Sequence, residues 1–359
     1  MSGAIVDLVS KGVQDVYITD DKGMSLFKMK YQRHTNFAQA PKQLNLIGQT
    51  VSNNGQSVIK IESLGDLVNH IWLEGDDLVQ NLSGSVFDLY IGGQKVDSQT
   101  FDFKNEIWQV YLSETWTKSM NGNISSNKFF PLHFFFCDNE MFLPILSLQY
   151  HEVEIRVTWG SSVSGSASTL KCYANFVYLD TTEREEMIKK PMDLMITQVQ
   201  RYTYPVSNGL NQVDLSVVNH PVKSLFFGFE KQGIFTPNDS LTFAGADLQI
   251  NGTYVFENMS PLFFHTVQSY YKTKYGRVNY NNTAEAPNYT RYFMYNFCID
   301  ASSYKPTGTC NFSRLDNSKL TLKGVSVASE RSSSDLLVYA VNYNILRIKS
   351  GIAGILFAN

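Results

Sequence analysis

Two tandem eight-stranded antiparallel β-sandwiches, close in plan to jelly rolls and carrying short helices in their loops, are the all-β fold that this sequence predicts. Three observations carry the prediction. Apolar residues recur with a period of two along most of the chain, a ten-residue hairpin signature near residue 88 returns near residue 247, and a charged stretch stopped by a proline lies near the midpoint.

In HEVEIRVTW, residues 151–159, Val153, Ile155, Val157 and Trp159 alternate with Glu152, Glu154, Arg156 and Thr158. This is the pattern of a strand with one face buried and one in water. The same alternation sets Val213, Leu215 and Val217 against Asp214 and Ser216, and it runs through LLVYAVNYNIL from Leu336 to Leu346. Valine, isoleucine, tyrosine, phenylalanine and threonine dominate these stretches, as a pleated, half-buried surface prefers. Each half holds about eight such candidates, enough for two sheets packed face to face.

DLYIGGQKVD begins at Asp88 and DLQINGTYVF at Asp247, 159 residues further on. Gly92-Gly93 and Asn251-Gly252 tolerate positive φ at both central positions, which a two-residue type I′ turn requires, so each piece predicts a tight hairpin. Two further matches fall in the same order. DLVNHIWLE, ending at Glu74, pairs with VKSLFFGFE, ending at Glu230, at an offset of 156; the Tyr-Ala pair at Tyr173 recurs at Tyr339, an offset of 166. Offsets that grow slowly are what duplication followed by loop insertion leaves, and the period far exceeds the roughly 20 to 50 residues of a solenoid repeat.

Helix is expected in two places. FDFKNEIWQVYLSETW, 101–116, puts Phe103, Ile107, Val110 and Tyr111 on one stripe, and TTEREEMIKKPM, 181–192, is charged and poor in strand formers. Pro191 would stop the second helix where a boundary between halves belongs. The expected division is an N-terminal arm 1–24, a first jelly roll 25–182, a linker 183–197 and a second jelly roll 198–359.

Composition narrows the function. A chain of 359 residues exceeds one ordinary core, and 43% hydrophobic with 18% charged residues describes a globular protein. Thirty basic against 33 acidic residues, a net charge of −3, gives no electrostatic footprint for direct nucleic-acid binding. The N-terminus MSGAIVDLVSKGVQDVY lacks a signal-peptide pattern and no apolar run reaches the roughly 18 to 20 residues of a membrane span, so a soluble chain made in the cytosol is expected. Cys137, Cys172, Cys298 and Cys310 form no C-x-x-C pair and read as reduced core residues.

No catalytic constellation emerges. His151 with Glu152 and Glu154 is the one acid/base or metal candidate, but on a strand the histidine points opposite to both carboxylates. His34 and His220 have no partner at a recognisable spacing, and there is no P-loop, dinucleotide fingerprint, H-E-x-x-H or G-x-S-x-G. No enzyme activity and no cofactor are therefore expected. Eight N-x-S/T sequons occur, at Asn81, Asn123, Asn238, Asn251, Asn258, Asn281, Asn288 and Asn311. Most are expected to be bare without a secretory route. Asn281 and Asn288, in the polar stretch NYNNTAEAPNYT, are the candidates for glycan attachment on an outward loop.

GVQDVYITDD (12–21), YQRHTNFA (31–38), LPILSLQYHEV (143–153), YLDTTER (178–184), PTGTCNFSRLDN (306–317) and YNILRIKSGIAG (343–354) closely resemble, in order and along the whole chain, the major capsid proteins of nucleocytoplasmic large DNA viruses, especially the algal-virus or phycodnavirus-like branch. The resemblance implies a double jelly roll in one chain and a homotrimer that forms a pseudo-hexagonal capsomer. It implies neighbouring capsomers and minor capsid proteins as partners in an icosahedral shell of a large double-stranded DNA virus, an inner membrane nearby, and a virion protein assembled in the host cytoplasm. GSSVSGSAST (160–169) and ASERSSSD (328–335) are shorter than the loops usual in that family, which argues against tall outward towers. Two alternatives stay open: a minor capsid protein of the same shell, or, from another class, a carbohydrate-binding or carbohydrate-active β-sandwich protein. Because no ligand cluster was found, a chelator such as EDTA is expected to leave the melting temperature unchanged; a substantial drop in a thermal scan would contradict this.

Overall fold

From Phe37 onward the chain is a succession of antiparallel strands; the computed structural model describes residues 13–17, 33–48, 51–76, 78–112, 128–137, 141–161, 163, 170–229, 241–274, 292–327 and 335–358. The first 36 residues are a unit of their own, whose described part includes the 3-10 turn Val13–Tyr17. Apart from that turn, the expected arm 1–24 lies outside the described residues.

In the first half the strands are β1 (Phe37–Leu44), β2 (Leu46–Gly48), β3 (Gln56–Ile61), β4 (Leu67–Glu74), β5 (Val86–Ile91), β6 (Gln94–Thr100), β7 (Phe129–Pro131), β8 (Val153–Thr158) and β9 (Lys171–Leu179). The second half continues with β10 (Met192–Pro205), β11 (Gly209–Asp214), β12 (Pro221–Phe229), β13 (Gly245–Ile250), β14 (Thr253–Met259), β15 (Tyr292–Asn296), β16 (Cys310–Asn311), β17 (Ser318–Val325), β18 (Asp335–Lys349) and β19 (Ile352–Ile355). The first set pairs as β1-β9-β4-β7 and β2-β3-β8-β5-β6, the second as β10-β18-β12-β15 and β11-β17-β13-β14. Setting aside the short β2, β16 and β19, one order is used twice, and this is a double jelly roll.

The duplication marks fall on corresponding strands. Asp88–Asp97 spans the β5-β6 hairpin and Asp247–Phe256 the β13-β14 hairpin, DLVNHIWLE holds β4 where VKSLFFGFE holds β12, and the Tyr-Ala pairs lie on β9 and β18. Both turns have positive φ at both central residues, 58° and 79° at Gly92 and Gly93, 47° and 83° at Asn251 and Gly252. The alternation on β8 buries Val153, Ile155, Val157 and Trp159 as the sequence predicts, and the Trp159 indole N–H donates to Ser57 Oγ at 2.8 Å.

Two expectations need correction. Val217 is 49% exposed, because β11 stops at Asp214, whose carboxylate accepts from Ser216 N at 3.0 Å; the chain turns and Val218 becomes the next buried residue. Strand β18 is not half-buried: every residue from Leu336 to Asn344 is buried, so both faces are covered. The helix expected over 101–116 is described as a π-helix, Phe103–Leu112; the Val110 side chain and residues 113–116 lie outside the described residues. The stretch 183–197, expected as the linker, holds regular structure. It contains most of the Thr181–Lys189 helix, whose Asp180 cap accepts from Thr181 N at 2.8 Å, and the start of β10, five residues of which precede Thr197. Apolar residues explain the early strand: Ile196 is buried in the core of the first roll, with Leu194 packed against it.

Two sandwich cores result, one around Ile59, Leu89, Ile155 and Phe176, the other around Val213, Phe227, Leu248 and Leu322. The tail of the second half enters the first core through Leu346, Ile348 and Ala353. A hinge of this contact lies at the β5-β6 turn, where His151 Nδ1 accepts from Ala353 N at 3.1 Å and a Cβ on Gly92 would sit 2.2 Å from that same Nδ1. A Cβ on Gly93 would meet nothing within 4 Å. Gly93→Ala is expected to cost only the left-handed backbone penalty, about 1 to 2 kcal/mol, whereas Gly92→Ala must also displace His151 and should cost clearly more. Denaturant unfolding of the two variants checks this; equal losses would show that the His151 contact carries no weight.

Candidate functional site: the joint between the two jelly rolls

The sheet edges that meet between the rolls are β6, last in its sheet, and β10, first in the next. Two facing edges would ordinarily extend one ladder, and here side chains bridge them instead. Strand β6 reads QKVDSQT, with one aliphatic residue in seven, yet Val96, Asp97 and Gln99 are buried. The Asp97 carboxylate accepts from Val199 N on β10 at 2.9 Å, from Ser98 N at 2.9 Å and from Gln99 Nε2 at 2.7 Å. From the other side, Gln198 Nε2 donates to the Val96 carbonyl, while Gln198 Oε1 accepts from Asn344 Nδ2 at 2.9 Å. Gln94 Oε1 accepts from Ile355 N at 3.2 Å, adding β19 to the seam. A cavity of about 290 Å³ runs beside these groups, lined among others by Asp97, Gln198, Asn344 and Phe357.

Burial dominates the Asp97 electrostatics. Removal from water pushes its carboxyl up to about 6, against the pull of the Val199, Gln99 and Ser98 donors; the nearby Asp88 adds to the rise.

Above the seam a third apolar cluster covers the outer face of β10-β18-β12-β15. The Phe103–Leu112 helix, which connects β6 to β7, lays Phe103, Ile107, Tyr111 and Leu112 on Phe226, Tyr292, Leu337, Tyr339 and Val341. Tyr111 Oη donates to the Tyr292 carbonyl at 2.7 Å, and the Thr100 and Tyr339 hydroxyls are 3.1 Å apart. Burying one such aromatic side chain stabilises by roughly 1.5 to 3 kcal/mol, so the cluster outweighs the individual polar bonds of the seam, each about 1 kcal/mol net. Burial also holds the His265 imidazole down at about 4, so it meets the edge of the Tyr111 ring as a neutral group at pH 7.

The residues singled out from sequence are not gathered here. His151 serves the β5-β6 turn, Glu152 pairs with Lys60 at 2.6 Å, and Glu154 pairs with Arg156 at 3.2 Å. His34 Nδ1 lies 2.7 Å from the Thr35 carbonyl, and His220 is buried, its N–H donating to Ser313 Oγ at 2.7 Å. Among the described residues no group of three potential ligands could hold a metal ion. All four cysteines are free thiols. Asn81 is buried and donates to the Asp76 carbonyl at 2.9 Å, a poor glycan acceptor. Asn281 and Asn288 lie outside the described residues, as do Asn123 and Asn238. Sequence reasoning missed Asp97. The signal available was a polar strand directly after a type I′ hairpin, which has no apolar face of its own to bury.

The fold is two jelly rolls locked by a shared apolar layer. A family model described as "Large eukaryotic DNA virus major capsid protein" matches residues 183–354, and one described as "Major capsid protein N-terminus" matches residues 25–180. The major capsid proteins of Pyramimonas orientalis virus and of Paramecium bursaria Chlorella virus 1 are 29% and 26% identical to this chain, each match covering all of both proteins. A chain of the PBCV-1 virus capsid quasi-atomic model superposes with a TM-score of 0.78 at 23% identity, covering 93% of this chain and 100% of that one. The Faustovirus major capsid protein does so with a TM-score of 0.72 at 10% identity, covering 95% of each chain. The chain belongs to the major capsid proteins of large eukaryotic DNA viruses, and its role is structural, in the viral capsid.

Folding takes up a proton at Asp97 between pH 3.8, its ordinary value, and about 6, so the stabilisation from this proton is fully present below the first and lost as pH rises through the second. Asp97→Asn removes that dependence. Between pH 7.5 and pH 4 the stability difference between wild type and variant should shift towards the wild type by up to about 3 kcal/mol, read from denaturant unfolding at both pH values. A difference that does not change with pH would refute the buried-carboxyl account.

Proposed function

We propose that the chain trimerises, and that the trimer is a pseudo-hexagonal capsomer tiling an icosahedral shell of a large double-stranded DNA virus. The observation that carries this is the reuse of one strand order in two rolls of a single chain, joined through a buried layer. Three copies around a threefold axis offer six similar blocks, and a near-hexagonal block tiles a flat facet. The rolls are taken as 25–182 and 198–359, with an N-terminal arm 1–24 and the connecting stretch 183–197. The boundaries of the matched family regions, at 180 and 183, support this division.

The partners in this reading are two further copies of the chain, neighbouring capsomers and minor capsid proteins, assembled in the host cytoplasm near an inner membrane. Among the described residues no helix is long and apolar enough to cross a membrane. The chain acts through surface complementarity, without catalysis, cofactor or direct nucleic-acid contact. The stretch 279–290, with Asn281 and Asn288, is the place proposed for any glycan display. Light scattering coupled to size exclusion should give a mass near three times 40.7 kDa, and electron micrographs of the peak should show particles hexagonal in projection. A strictly monomeric species at high protein concentration would refute the trimer.

A further inference from the structure

Each half of the chain owns a copy of the parts that make the joint, and among the described residues only one copy is used within the chain. The first part is a bulge. Pairing jumps from Leu89 with Asp97 to Tyr90 with Lys95 in the first hairpin, and from Leu248 with Phe256 to Gln249 with Tyr254 in the second. Val96 and Val255 are therefore the extra residues at the same place in two equivalent strands. Val96 is 3% exposed, in a cluster with Ile196 and Leu346 of the other roll; Val255 is 43% exposed.

The second part is the helix that follows β6 in the first roll and the equivalent β14 in the second. In the first roll it buries Tyr111 and Leu112 against the neighbouring sheet. In the second roll the connection is the π-helical turn Phe263–Val267 continuing as the α-helix Gln268–Lys272, which ends in Tyr270 and Tyr271, 64% and 73% exposed. The 159-residue offset of the hairpins carries Tyr111 onto Tyr270 and Leu112 onto Tyr271.

The third part is the receiving face. Tyr339 on β18 lies beneath the Phe103–Leu112 helix, its ring 5.5 Å from that of Phe103. Its counterpart on β9 is Tyr173, on the outer face of β1-β9-β4-β7, half-buried and stacked on Trp72 at 5.7 Å. On β1, first in the strand order of that sheet, Phe37 is 47% exposed.

The polar seam differs between the two copies in a matched way. Val199 pairs with Val341 on β18, and the corresponding pair in the first roll is Pro41 with Asn175, so the N–H that Asp97 uses has no equivalent. At the position of Asp97 the second hairpin has Phe256. Donor and acceptor are missing together, so a second joint on the same plan would leave neither a buried carboxylate without its N–H nor an N–H without its acceptor.

We infer that the face carrying Val255, Tyr270 and Tyr271 docks on the first roll of a second copy of this chain, against Phe37, Trp72 and Tyr173, repeating between chains the joint that β6 and the Phe103–Leu112 helix make within one. The inference rests on the trimer reading and assigns its contact surfaces. The contact is head to tail, and it closes when the third chain meets the first. Exposed Tyr270 and Tyr271 on one surface, and exposed Phe37 with half-buried Trp72 and Tyr173 on the other, are aromatic residue types that anchor such interfaces.

Ala40 occupies on β1 the place of Gln198 on β10, the residue that reaches Val96 within the chain. The test is the full-length chain carrying both Val255→Cys and Ala40→Cys, treated with a short bismaleimide and run on a denaturing gel. The expected result is a ladder of linked chains that ends at three. Either single variant, or Val255→Cys combined with Leu210→Cys on exposed β11, should give no ladder. In parallel, Tyr270→Ser with Tyr271→Ser should raise the dissociation concentration of the trimer by at least about tenfold, with the far-ultraviolet dichroism of the fold unchanged. A trimer by light scattering that yields no Val255–Ala40 ladder and keeps its dissociation concentration in the tyrosine variant overturns the assigned surfaces and leaves the trimer reading standing. A wild type that stays monomeric overturns both. A ladder running past three overturns the closed ring.

Discussion

Strand β18 is the constraint on which the rest of the molecule depends. One of its faces supplies Leu336, Val338 and Ala340 to the core of the second roll; the other supplies Leu337, Tyr339 and Val341 to the layer beneath the Phe103–Leu112 helix. Further along, Leu346 and Ile348 enter the core of the first roll. A single strand therefore belongs to all three apolar clusters. Loosening any one of them pulls on the other two, which makes the pair of rolls one cooperative body rather than two domains on a tether. An ordinary sandwich strand needs only one buried face, so the second face of β18 is apolar because of the joint and not because of the roll it belongs to.

The seam between β6 and β10 solves a different problem. Two unpaired strand edges brought together could continue the ladder, fusing the sheets in whatever register the backbones allow. Side chains prevent that. Asp97 takes the Val199 N–H and Gln198 takes the Val96 carbonyl, so specific residues, rather than an extendable row of amides, set the register. Burying a carboxylate has a cost, visible in the upward displacement of its pKa, and the three donors around it recover only part of that cost. The apolar layer above supplies the stabilisation, and the polar seam supplies the alignment.

How much of this was legible in the sequence follows from the range of each signal. The two type I′ hairpins were, because Gly-Gly and Asn-Gly determine a turn within four residues whatever surrounds them. So was β8, whose two faces meet one core and one solvent. Strand β18 read as half-buried because its small and polar members, Ala340, Asn342 and Asn344, imitate a wet face, although all three are buried. Asn342 and Asn344 donate to Gln198 Oε1, a partner 144 and 146 residues away that no local pattern can point to. The short helix ending at Lys272 escaped notice for a related reason: FFHTVQSYYK is aromatic-rich and β-branched at two positions, so propensity alone favours strand. Of the candidate site, the sequence showed one half, the Phe103, Ile107 and Tyr111 stripe, without the sheet that receives it. The histidines and acidic residues that attracted attention do not converge: His151 ties to Ala353, Glu152 to Lys60 and Glu154 to Arg156.

The two halves share a strand order but not a length, and the difference has a physical use. Strands β10 and β18 run 14 and 15 residues, whereas their counterparts β1 and β9 run 8 and 9. The added length at this end, Met192 to Leu194 paired with Leu346 to Ile348 and then with β19, belongs to the portion that plugs into the first roll. A duplicated chain with identical halves would present the same edge twice, and nothing would decide which roll pairs within the molecule and which between molecules. By lengthening one sheet only, the chain makes the joint that β10 and β18 form with the first roll larger than one built on the shorter β1 and β9. The shorter copy is left with exposed aromatic residues at Phe37, Tyr270 and Tyr271, a surface suited to a contact formed after the chain has folded and separable from the joint that holds the chain itself together.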